Sequence, residues 1–194
     1  MNFRAILFLL FVFAYSSFAN ANDYVKFSIE NCGEYIGKNI SILKDQTRSL
    51  TFDEVRQLNE KFIASDEEVP NLGVDGANNW IKFSLKNYSD VDELVINLSQ
   101  TNIDNVVFYW IKDGIVDSID SRVGGKGDNL GINHQYYLFE LPLKRGEEVE
   151  CYFKLFSHTQ LSAPISIHTP KSLFNSLLQS DIFSAIYIGL MLSM

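Results

Sequence analysis

From residue 80 to residue 168 the chain is cut into short alternating segments separated by turn signals, and that punctuation confines it to an antiparallel β architecture. The stretch NWIKFSLKN at 79–87 puts Ile81, Phe83 and Leu85 on one face and Trp80, Lys82, Ser84 and Lys86 on the other, a period of two that a strand has and a helix lacks. The same reading predicts strands at 80–86, 93–98, 105–112, 115–120, 136–141, 148–156 and 163–168. Asn87-Tyr88-Ser89-Asp90 breaks the first pair, Asp113-Gly114 is a two-residue hairpin signal, and Lys144-Arg145-Gly146-Glu147 turns another. Within this pattern the largest side chain of the first strand, Trp80, falls on the face that carries two lysines, which needs an explanation.

Upstream, residues 24–30 alternate as YVKFSIE, and 36–43 continue after the turn-rich Cys32-Gly33, so two further strands are predicted. One soluble helix follows, over 51–62. Thr51 can cap it, Glu54 is the fourth residue of a capping box, and Val55, Leu58 and Phe62 line one side at helical spacing. Val149, Cys151, Phe153 and Leu155 form the inward row of one strand and Tyr137, Phe139 and Leu141 that of another, so most of the 15 phenylalanines are expected to fill the interior. Strands at this spacing with one early helix indicate an antiparallel sandwich or jelly roll.

The two ends differ from this middle. Arg4, the apolar run 5–15 and the A-x-A pattern Ala19-Asn20-Ala21 read as an export signal over residues 1–21, with an uncleaved anchor as the alternative. The far end, 182–194, is apolar and uncharged, and at this length falls short of the ~20 residues that cross a bilayer. It reads as the start of a membrane helix over 177–194, or else as a buried terminal helix. Residues 22–176 then form one extracytoplasmic domain. Loss of Arg4 with the leader leaves 15 basic against 24 acidic residues and moves the net charge from -8 to about -9. With no basic run to hold phosphates, nucleic acid is excluded as an expected partner. Cys32 and Cys151 both fall in the exported part, where an oxidising compartment could bridge them across a long loop; two unpaired buried thiols are the other reading.

No local motif carries catalysis. Gly124-Gly125-Lys126-Gly127-Asp128-Asn129-Leu130-Gly131 lacks phosphate-loop spacing and a following helix, and reads as a loop on the sandwich rim. His134, His158 and His168 show no metal-binding spacing, and no nucleophile elbow is present. Acidic turns near Asp75, Asp113 and Asp128 lack a calcium-loop pattern. No metal or cofactor is therefore expected. The polar-face aromatics are more informative: Trp80 with Lys82, Tyr152 with Lys154, and Tyr136 with Glu140. Rings beside charged hydrogen-bonding groups suit sugars, whose flat C–H faces are edged with hydroxyls. Equally, the same face could pack under the helix at 51–62 with lysine stems covering the rings. Trp80 is thus either a plug or one wall of a ligand groove.

The order of these features resembles the second type of extracellular domain of bacterial seven-transmembrane receptors with diverse intracellular signalling modules. The resemblance rests on ISILKD before LTFDEVRQL, PNLG before NNWIKFSLKN, then NIDNVVFYW, LFELPL, CYFKLFS and HTPKSLFNSLLQSDIFSAIYIGLML. It implies a jelly-roll-like β-sandwich similar to carbohydrate-binding modules, outside the cytoplasmic membrane and feeding a seven-helix bundle. Family members often have arginine after the strand tryptophan and again before the LFEL-like strand. Here Lys82 takes the first place and Gln135 stands near the second, which loses the arginine fork; Arg122 remains near the expected groove.

The expected function is therefore a periplasmic ligand-sensing domain of an inner-membrane receptor. It would take a carbohydrate or related small molecule through Trp80, Lys82, Arg122, Tyr136 and Tyr152, and pass occupancy to the membrane helix. The alternative is a non-sensing module that docks a periplasmic protein or cell-wall polymer. Homodimerisation is left open, and a hydrolase would need turnover that no residue pattern supports.

Overall fold

The computed structural model describes residues 24–121 and 135–193. The expected signal peptide, Arg122, His134 and the glycine-rich loop at 124–131 lie outside them. Two sheets, antiparallel except for one pairing, face each other across one core. The first runs β3 (Ile63–Ala64), β2 (Ser41–Asp45), β5 (Asn78–Asn87), β10 (Glu148–Phe156), β7 (Asn105–Lys112) and β8 (Ile115–Asp120). β1 (Tyr24–Phe27) joins β5 in parallel, Tyr24 opposite Ser84 and Phe27 opposite Asn87, beyond the end of β2. The second sheet is β12 (Ile165–His168), β6 (Glu93–Leu98) and β9 (Tyr137–Pro142), and β4 (Asn71–Gly73) pairs separately with β11 (Leu161–Ser162).

The period-two rows explain the core. Ile81, Phe83 and Leu85 of β5 and Cys151, Phe153 and Leu155 of β10 meet Leu94, Ile96 and Leu98 of β6 and Tyr137, Phe139 and Leu141 of β9 in one buried cluster. Aromatic contacts bind the layers, with Phe108 4.7 Å from Phe153 and 5.1 Å from Phe139 between ring centroids. Tyr137 keeps its hydroxyl satisfied inside by donating to the Ile103 carbonyl at 2.6 Å. The β7–β8 hairpin turns on Asp113 and Gly114, both at positive φ (52° and 79°), the pair of left-handed positions that a tight two-residue turn requires.

Several predicted boundaries shift, each for a local reason. The strand expected at 36–43 begins only at Ser41, because Gly37–Asn39 forms a 3-10 turn. Gly37 passes so close to the 67–70 segment that a Cβ there would lie 2.2 Å from the Glu68 carbonyl. The helix expected over 51–62 is α1 (Phe52–Gln57) followed by a separate 3-10 turn, since Leu58 leaves helical geometry at ψ 31°. β1 stops at Phe27, where the Asn31 side chain accepts the Ser28 N–H at 2.8 Å and closes a turn. β12 starts after Pro164, which cannot extend a ladder.

The last helix, α2 (Pro170–Ser193), begins one residue beyond Thr169, whose hydroxyl accepts the Ser172 N–H at 3.2 Å. Proline at the first helical position lacks only an N–H that would be unpaired anyway. Leu173 and Leu177 bury against Val95 and Leu138 on the outer face of the smaller sheet. Farther on, Phe183, Ile186, Tyr187, Ile188 and Met191 are exposed. Among the described residues no helix is long and apolar enough to cross a membrane.

Candidate functional site

The outer face of the larger sheet holds Trp80, Lys82 and Tyr152, three of the five residues singled out for binding, and α1 lies on top of them. β5 offers Trp80, β10 Tyr152, β2 Leu43 and β7 Tyr109; the capping box at Thr51 and Glu54 sets the helix so that Phe52 and Val55 face down. Phe52 stacks on Tyr109 at 4.2 Å and meets Tyr152 edge-on at 5.3 Å, while Trp80 lies 6.0 Å from Tyr109. Trp80 and Val55 have no exposed surface and Tyr152 has 1%. Trp80 therefore sits as a plug between sheet and helix, where a ligand could reach it only if α1 moved. The lysines beside it serve this packing. Lys154 holds its ammonium 5.2 Å over the Trp80 ring, and Lys82 holds its own 5.6 Å over Tyr152.

Lys82 is already engaged. It bonds Glu150 at 2.6 Å across the β5–β10 ladder and donates to the Asn59 side chain at 2.9 Å. Burial, with the nearby Glu150 carboxylate adding to it, pushes the Tyr152 phenol well above its ordinary range. Tyr136 belongs elsewhere: it packs with Leu138, Leu173 and Leu177 beside α2 on the other sheet. The five expected site residues are thus not one constellation in this structure, with Arg122 outside the described part. Sequence reasoning missed Phe52, Leu50 and Tyr109; the only signal for Phe52 was its position as the first residue after the N-cap.

Other chemistry-bearing side chains are tied into structure. Cys32 and Cys151 are free thiols in the structure. Both pack against the same core, and full burial raises the Cys151 pKa far up, leaving it inert as a nucleophile. Asp75 takes Lys44 at 2.8 Å, which heads the interactions holding its carboxyl below the usual range. His158 pairs with Asp104 at 3.0 Å on the surface. His168 is buried at 6% exposure; its Nε2 meets Ser166 Oγ at 2.9 Å, while its Nδ1 finds no partner among the described residues. Burial lowers its pKa below 6.5. Among the described residues no group of three or more His, Cys, Asp or Glu side chains gathers as a metal site.

Two openings lie near the entry to α2 and beside β1 among the described residues. One, about 700 Å³, surrounds the start of α2 between Ile29, Val91 and Lys171. The other, about 320 Å³, opens on the side of the sandwich between β1 and the strip 31–39. That strip runs along β12 as an extra edge: Gly33 N–H donates to the Ile167 carbonyl at 2.8 Å, Ile36 N–H to the Ile165 carbonyl at 2.9 Å, and Tyr35 bridges Ser166. A third opening, about 540 Å³, lies at the far edge beside β3 and the 65–71 segment.

Residues 37–169 match the family described as 7TMR-DISM extracellular 2. No curated protein matches the chain. Among solved structures, the insecticidal crystal protein Cry2Aa is similar over 53% of this chain and 18% of its own, at 11% identity and a TM-score of 0.28. A likeness that faint bears on neither fold nor function.

Proposed function

Because the chain belongs to the 7TMR-DISM extracellular 2 family, and is thereby the extracellular sensor domain of a membrane receptor, we propose that it reads a carbohydrate or related small molecule in the periplasm and reports occupancy to the inner-membrane part of the receptor. The single observation that carries this reading is the junction at Thr169. β12 ends at His168 and α2 begins at Pro170, so a displacement of the small sheet is delivered to the helix without an intervening linker. Leu173 and Leu177 then hold the first turns of α2 against Val95 and Leu138, which makes the helix a continuation of the sandwich rather than a loose tether. A ligand shifts such a junction only by binding two of its arrangements unequally.

The helix-covered aromatics support the sheet in this reading, and the ligand enters elsewhere. Trp80 and Tyr152 hold α1 in place, and Lys82 joins sheet to cover.

The test is made on the full-length receptor in cells. A cysteine introduced by Tyr88→Cys, at an exposed side chain, should react with a membrane-impermeant maleimide once the outer membrane is permeabilised, and the labelled protein should sediment with inner membranes. Labelling that requires lysis, or labelled protein found free in the medium, would overturn the reading.

A further inference from the structure

Resting on the sensor reading above, we infer that the side cleft between β1 and the strip 31–39 is the ligand site, and that it takes a neutral, polyhydroxylated ring of about monosaccharide size. Its lining brings together Tyr24 and Lys26 of β1, Glu34, Tyr35 and Asn39 of the strip, and Ile167 of β12 at the base. The volume of about 320 Å³ stands at the small end of ligand sites, which run from ~300 to 1,000 Å³.

The chemistry follows from what these groups already do. Among the described residues, Glu34, Tyr35 and Asn39 have no side-chain hydrogen bond or ion pair of their own, and all three are exposed, so they can bond a ligand without breaking such a contact. Lys26 holds its ammonium 5.8 Å from the centre of the Tyr24 ring, over which Lys86 also stands at 5.3 Å. One cation and one carboxylate cancel, which disfavours an anion such as a phosphate; there is no arginine and no helix terminus to hold one. An apolar ligand would strand the Glu34 carboxylate and the Lys26 ammonium against a surface that cannot bond them. A sugar ring satisfies both demands: hydroxyls for Glu34, Asn39 and Lys26, and a C–H face for the Tyr35 ring, since Lys26 and Lys86 already stand over Tyr24.

The position also fits a sensor. The strip that carries Glu34 and Tyr35 is hydrogen-bonded to β12 at Ile165 and Ile167, and β12 runs into α2. Gly33 lies against His168, with a Cβ there reaching within 3.1 Å of the ring. A ligand that draws the strip toward β1 therefore pulls on the strand that ends at the helix.

The experiment is a titration of the purified chain with a panel of neutral mono- and disaccharides by calorimetry, with inorganic phosphate as the anion control. At least one neutral sugar should saturate, phosphate should not compete, and Tyr35→Ala and Glu34→Gln should each weaken binding at least about tenfold, which is ~1.4 kcal/mol. Lys61→Ala, beside the opening at the far edge, should leave it unchanged. Both tested side chains are exposed, so the variants should keep the wild-type circular dichroism and melting midpoint. No saturable neutral sugar, or sugar binding indifferent to both variants, would overturn the inference. Either result leaves the outward-facing, membrane-bound reading to stand or fall on the labelling experiment.

Discussion

Replacing Trp80 tests whether the cover over the larger sheet is held by packing alone. Trp80 has no exposed surface and lies between Phe52, Tyr109 and the Lys154 ammonium, so Trp80→Ala removes a full indole from a site with little room to collapse. Large-to-small changes of this kind cost about 3–5 kcal/mol. Against a total stability of ~5–15 kcal/mol, that corresponds to a melting point lower by roughly 10 °C at ~2–4 °C per kcal/mol. Trp80→Phe should behave differently. It keeps an aromatic plug and loses part of the indole's area, roughly 2 kcal/mol at ~0.8 kcal/mol per buried methylene-sized group. It also deletes the Trp80 Nε1–H, which is buried without a partner, and relief of such a group recovers about 1–3 kcal/mol. The two terms nearly cancel, so the phenylalanine variant should lie within about 1.5 kcal/mol of wild type. Urea unfolding followed by far-ultraviolet circular dichroism and by Trp110 fluorescence reads both variants on one scale. If Trp80→Ala costs less than about 1 kcal/mol, or if phenylalanine is as damaging as alanine, the account of Trp80 as an imperfectly satisfied plug fails.

Gly37→Ala should destabilise the domain by about 1–3 kcal/mol or more, because the new methyl would lie 2.2 Å from the Glu68 carbonyl and 2.6 Å from Pro70 Cδ; a thermal melt checks it. Thr51→Ala removes the acceptor for the Glu54 N–H and should lower stability by about 1 kcal/mol in the same urea assay. Glu54 accepts the Thr51 N–H and hydroxyl, which holds its carboxyl below 4.5; that contribution is present above the unfolded value and should fade as pH falls through the depressed folded one. His168 gives the opposite end of the scale. Burial depresses its pKa below 6.5 in the fold, so between the two values only the unfolded chain takes the proton, and stability should be full above about pH 6.5 and decline as pH falls below it. Stability curves from pH 7.5 to 5 should show that decline in wild type and a flatter slope in His168→Gln.

Alternation and turn chemistry were enough to locate the strands that matter. The boundaries of β6, β7, β8 and β10 coincide with the predicted segments, and the Asp113-Gly114 turn separates β7 from β8 where the sequence placed it. The capping box at Thr51 and Glu54 was equally readable, being local. The extent of the helix was not: Asn59–Lys61 continues as a 3-10 turn, where Lys82 meets Asn59. Nothing in residues 51–62 themselves encodes that contact.

The candidate site shows the same division. Period two assigned Trp80, Lys82, Tyr152 and Lys154 to one outer face, and it could say no more, since a strand pattern separates two faces without saying what covers either. Only the tertiary structure brought Phe52 down onto that face, turning a surface fit for a ligand into a second small core. It also carried Tyr136 to the opposite sheet beside α2, and joined Tyr24, Glu34 and Tyr35, near one another in the chain, to the distant Ile167 around one opening. Strand identity is a property of neighbours in sequence, so the chain determined it alone; exposure is a property of whatever packs above, and only the completed fold decides that.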